Sequence, residues 1–135
     1  MKNLITLIIL FSGLGLATAQ TEAETIAWIK EKIEKYPVDY DKNVVKSINA
    51  CEITVENYMD NKVSTWIMPT DITGWIAFGP SFKGNVVKHI NHLGKVKYVD
   101  FISLLDEKRE ADLASRMMKA ILHLNTFCPQ KKEVF

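Results

Sequence analysis

The sequence predicts an α+β fold: an antiparallel meander of five or six strands, flanked by an N-terminal and a C-terminal helix and either open or curled into a partial barrel. Three observations predict it. Apolar residues recur every three or four positions near both ends of the chain. Period-two alternation of apolar and polar residues fills the middle. Turn residues punctuate that middle at short, regular intervals.

The chain opens with an address rather than a structural element. Lys2 lies in a short positive n-region, the stretch 4–16 is almost wholly apolar, and Ala17 and Ala19 are the small residues of a cleavage site. This is the order of a secretory signal peptide, 1–19. At 13 residues the apolar run is shorter than the roughly 20 needed to span a bilayer. The remainder, 20–135, reads as one exported domain, periplasmic or extracellular. No integral membrane segment is expected in the mature chain.

Thr21 followed by Glu24 reads as a capping box. Ile26, Ile29, Ile33 and Tyr36 then fall on one helical face, and Pro37 halts the pattern. A helix is therefore predicted over 22–35. Residues 44–48 and 51–56 read as strands, with Cys51, Ile53 and Val55 on one face of the second. Asp60-Asn61-Lys62 turns the chain into a strand over 63–68, which Pro69 ends. A further strand is predicted over 72–78, then a loop over 79–84. Residues 86–90 and 95–104 form a hairpin around Asn91-His92-Leu93-Gly94. Asp106 is the expected cap of the last helix, whose stripe is Leu113, Met117, Ala120, Ile121, Leu124 and Cys128. The tail after Pro129 should fray.

Composition excludes several function classes. With 17 Lys+Arg against 16 Asp+Glu, the chain lacks the basic excess of a general nucleic-acid binder. At 47% apolar it is too hydrophobic for a disordered protein. The two cysteines, Cys51 and Cys128, are an even count in an exported chain. Both are expected to point into the core, so an intramolecular Cys51–Cys128 bond is predicted.

The chemical motifs are sparse. There is no G-x-S-x-G elbow, H-E-x-x-H, P-loop or strand-borne G-x-G-x-x-G in the mature chain. His89 and His92, with Asp100 or Glu107, fall short of a zinc ligand set, and no metal is expected. His123 reads as a helix-flank residue. Glu52 and Glu56 share a strand face and are the only carboxylate pair that suggests acid–base work, which needs a cleft around them. Ser81 has no evident base partner. No catalytic residue and no cofactor are assigned.

The aromatic and apolar residues carry more information. Strands 63–68, 72–78 and 95–104 are apolar on both faces. A half-buried strand is polar on one. Either helices cover both sides, or the sheet curls into a partial barrel, or one face meets a ligand. The last option makes Trp66, Met68, Trp75 and Tyr98 the expected recognition patch.

The ending from Ala120 to Cys128 (AILHLNTFC), with the signal peptide, short helix, cysteine-bearing strand and meander before it, resembles short secreted bacterial proteins of unassigned function. That resemblance implies no substrate, cofactor or catalytic residue. The meander closed by a long helix is also similar to the pleckstrin-homology-like architecture. The N-terminal helix departs from that plan, and there is no basic phosphoinositide-binding loop. The expected function is a non-catalytic binding or accessory domain for a protein, a peptide or a small apolar ligand, with no nucleic acid involved. The alternatives are an inhibitor or accessory subunit of a secreted enzyme, and a small hydrolase using Glu52, Glu56 or a histidine.

Overall fold

The computed structural model describes residues 20–129, so the stretch 1–19, expected to be a signal peptide, and the tail after Pro129 lie outside the described residues. Helix α1 spans Glu22–Lys35, as the sequence predicts. Its capping box is complete: Thr21 Oγ1 accepts the Glu24 N–H at 3.1 Å, and Glu24 Oε1 reaches back to the Thr21 N–H. Strand β1 is Lys42–Ile48, β2 Glu52–Met59, β3 Lys62–Pro69, β4 Gly74–Ile76, β5 Gly79–Ser81, β6 Val87–Ile90 and β7 Val96–Val99. A single 3-10 turn, Glu107–Arg109, precedes helix α2, Leu113–Asn125.

Five of these strands form one antiparallel sheet in the order β1-β2-β3-β6-β7. The sheet stays open, with β1 and β7 at its edges and no barrel closure. The β2–β3 hairpin turns on Asp60 and Asn61, both at positive φ, as a two-residue hairpin turn requires. Strands β4 and β5 pair only with each other. This corrects the reading of 72–78 as one strand and 79–84 as a loop. The reversal occurs at Ala77 and Phe78, with φ of 20° and 43°, where no glycine announces it.

Both helices pack on one side of the sheet. From α1 and its C-cap come Ile29, Ile33 and Tyr36, and from α2 Leu113, Met117, Ile121 and Leu124. They bury Val45, Ile53, Val55, Met68 and Val87 beneath them. A buried polar bridge locks the layers in register. Asn43 donates to the carbonyls of Ile33 and Leu104, and Asn57 donates to Asn43 Oδ1 at 2.6 Å.

Helix α2 starts later than its sequence cap suggests. Asp106 does accept a backbone N–H, that of Lys108, but it caps the 3-10 turn. Tertiary partners hold the next residues out of the helix. Glu107 accepts the Phe78 N–H at 2.6 Å, and Glu110 takes Lys32 Nζ at 2.7 Å and the Tyr36 hydroxyl at 3.0 Å. These contacts outweigh local helix propensity.

The hydrogen bond from Lys32 holds the Glu110 carboxyl below its ordinary value near 4.5, against a burial effect of opposite sign, with Tyr36 assisting. A carboxylate lowered in the folded state stabilises the fold above its unfolded pKa, and that contribution is lost as pH falls through the lowered value. Thermal melts should therefore show wild type above Glu110→Gln at pH 7 and the gap closing as the pH is taken down past the carboxylate range. A gap independent of pH would contradict the assignment.

The predicted disulfide is present, with Cys51 and Cys128 Cα atoms 5.0 Å apart. Its setting differs from the expectation. Cys51 is exposed in the turn before β2, and Cys128 is half-buried beyond the end of α2, so the bond closes the rim of the core rather than its centre. Beside it Thr70, fully buried, donates to the Ala50 carbonyl and accepts from Asn125 Nδ2.

Candidate functional site

Strand alternation sorts every side chain of the sheet to one of two faces. Residues Ile53, Val55, Trp66, Met68, Val87 and His89 turn toward the helices. The opposite face carries two rows set by the ladder. One is Thr54, Ile67, Lys88 and Tyr98; the other is Glu56, Thr65, Ile90 and Val96. Ile67 and Ile90 are only half-buried, and Val96 and Tyr98 are 51% and 55% exposed. A central-strand isoleucine in this state has no layer packed over it. This open face, whose apolar members are Ile67, Ile90, Val96 and Tyr98, is the candidate site.

One end of the face deepens into a groove of about 720 Å³. Ile67, Pro69, Lys88 and Tyr98 line it from the sheet, and Phe82 and Val86 from the segment entering β6. Four charges ring it: Lys83 and Lys88, with Glu52 and Asp71. An apolar floor with a few charged groups on its rim suits a polypeptide or an amphipathic ligand. A smaller concavity of about 330 Å³ lies between the helices, where Arg116 covers the Trp28 ring and also pairs with Glu110 at 3.6 Å. Its guanidinium is already engaged.

The structure does not gather the four expected patch residues on one surface. Tyr98 alone stands on the open face. Met68 is fully buried under the helices, so it offers nothing to a ligand. Trp66 is half-buried on the helix side, its ring stacked on His89 with centroids 3.9 Å apart. Trp75 is half-buried on β4, packed against the core. Both tryptophans keep Nε1 buried with no protein acceptor. Burial, with Lys97 beside it in the ladder, pushes the His89 imidazole below its ordinary pKa.

The residues considered for catalysis are dispersed. Glu52 and Glu56, four residues apart along β2, stand about 13 Å apart at strand rise, beyond the separation at which carboxylates share hydrolytic work. Glu56 instead accepts the Tyr58 hydroxyl at 2.8 Å and lies 3.9 Å from Lys46. His92 is exposed in the β6–β7 turn, and His123 Nε2 lies 3.0 Å from the Gln20 carbonyl. Ser81 sits in β5. Among the described residues no three His, Cys, Asp or Glu side chains converge as metal ligands do. Among the same residues no helix is long and apolar enough to cross a membrane.

Motif reading passes over one signal that the sequence does carry. From Ile72 to Val99 there is no acidic residue, while Lys83, Lys88, Lys95 and Lys97 all fall within the stretch. The fold places Lys88, Lys95 and Lys97 on or beside β6 and β7, and Lys83 and Lys88 at the groove, where Glu52 and Asp71 face them.

No protein-family model, no curated protein and no solved structure matches the chain.

Proposed function

We propose that this is an exported, non-catalytic binding or accessory domain whose open sheet face receives a protein or peptide partner. One observation carries the reading. Strands β3, β6 and β7 carry apolar residues on both faces, yet the helices cover only one, and the sheet does not close on itself. A partner is the remaining way to bury Ile67, Ile90, Val96 and Tyr98. Contiguous exposed apolar surface on a folded domain marks interaction sites. Export is supported by the signal-peptide layout of residues 1–19, and the Cys51–Cys128 bond suits an oxidising compartment.

Native mass spectrometry of the protein isolated gently from its host tests this. The wild-type protein should carry a partner, and Ile67→Glu, which places a charge in the middle of the open face, should not. Ile67 makes no part of the buried core, so the variant should keep its circular dichroism spectrum. A bare wild-type monomer, or a partner equally retained by Ile67→Glu, would overturn the proposal.

A further inference from the structure

The two edges of the sheet are not equivalent. At β1 the ladder shifts register between Val45 and Ser47, and the outward Val45 N–H is taken by Glu34 Oε2 at 3.0 Å. A bulge and a side-chain cap close that edge to another strand. At β7 no such device stands in the way. Asn91 N–H bonds the Lys95 carbonyl at 3.0 Å. By the alternation of an antiparallel ladder, Lys97 and Val99 then turn their backbone groups toward β6, and Val96 and Tyr98 turn theirs outward. Among the described residues nothing bonds these outward groups.

The same outer edge is already used one step further on. Phe82 N–H donates to the Asp100 carbonyl at 2.8 Å, and Ile102 N–H donates to the Pro80 carbonyl at 3.2 Å. Residues 80–82 thus lie as a short added strand beside 100–102, and the edge continues unfilled past Tyr98 to Val96.

The side chains along this edge alternate in chemistry. Val96 and Tyr98 lie on the open face, beside Ile90 and Lys88. Lys97 lies on the helix side, and Lys95 precedes β7 at the end of the hairpin turn. No carboxylate occurs between Asp71 and Asp100 to neutralise them in sequence.

We propose that the β7 edge binds an extended polypeptide segment of alternating acidic and apolar residues, which adds to the sheet as a sixth strand. Main-chain bonds to Val96 and Tyr98 supply the docking. The apolar side chains of the segment extend the open face, and its carboxylates meet Lys95 and Lys97. An anionic lipid surface would use the lysines but not the paired N–H and C=O groups, so a polypeptide fits the edge better. The proposal rests on the open-face reading and specifies the partner's chemistry.

The probe is an eight-residue peptide alternating glutamate and valine, with a lysine–valine peptide as its counterpart, added to the isotope-labelled protein. The glutamate peptide should slow amide exchange at Val96 and Tyr98, and the lysine peptide should bind about tenfold more weakly or worse. Val96→Pro removes an outward N–H at an edge position that tolerates proline, and should abolish the protection. Lys95→Glu with Lys97→Glu leaves the backbone intact and should weaken the glutamate peptide by about tenfold. Equal binding of both peptides, protection elsewhere than β7, or binding of phosphatidylglycerol vesicles without the peptide would overturn the proposal. A host partner retained by Val96→Pro but lost by Ile67→Glu would overturn the edge alone. A partner lost by neither would sink the open-face reading with it.

Discussion

Removing the Cys51–Cys128 bond, by reduction or by Cys51→Ser with Cys128→Ser, should cost about 4.5 kcal/mol, the loop-entropy value for a separation of 77 residues. For a domain of this size that lowers Tm by roughly 15–20 °C. The loss should act mostly through the unfolded chain. Thr70 still joins the Ala50 carbonyl to Asn125 beside the missing bond, and the Thr70 N–H still bonds the Cys51 carbonyl at 3.1 Å. The folded state should therefore keep its far-ultraviolet spectrum at 20 °C while its urea midpoint falls. An unchanged midpoint would show that the cross-link contributes nothing to stability.

The second large effect is expected at Gly79. A Cβ built there would overlap the Ile102 carbonyl oxygen and lie 2.9 Å from the Leu104 nitrogen. Both are backbone atoms, so no rotamer change relieves the clash. The segment against it is held tightly: Leu104 N–H bonds the Phe78 carbonyl at 2.8 Å, and Ile102, Leu104 and Leu105 are all buried in the core. Gly79→Ala must move β5 away from that segment and should cost about 3 kcal/mol or more. Gly84→Ala is the matched control, because a Cβ there meets nothing within 4 Å. Denaturant unfolding should leave Gly84→Ala close to wild type and shift the midpoint strongly for Gly79→Ala. Equal midpoints would contradict the close docking of β5.

Local signals made part of this fold legible. Helix α1 can be read end to end because Thr21, Glu24 and Pro37 are short-range devices that tertiary packing does not contest. The β2–β3 hairpin follows from Asp60 and Asn61 for the same reason. The start of α2 could not be read, because what delays it is contact across the molecule, from Glu107 to Phe78 and from Glu110 to Lys32 and Tyr36. The turn at Ala77 and Phe78 uses residues that seldom adopt positive φ, so period-two reading runs through it.

The candidate site was legible in kind but not in place. Apolar residues on both faces of some strands raised the choice between a covered, a curled and a ligand-facing sheet, and the structure leaves one face of an open sheet without a layer over it. Which face it is depends on where the helices pack. That choice buries Met68, turns Trp66 inward against His89, and leaves Tyr98 outside with Ile67. The free β7 edge depends on pairing and on how residues 80–82 return, which no local pattern encodes.

The most direct test of the open-face claim is site-specific photo-cross-linking in the host. A photoreactive residue replaces Tyr98 on the open face or, separately, Glu31 on the exposed side of α1. A discrete adduct formed from the first site and not from the second is the predicted result. An adduct formed from the α1 site, with none from the sheet, would place the partner on the helices and contradict the account.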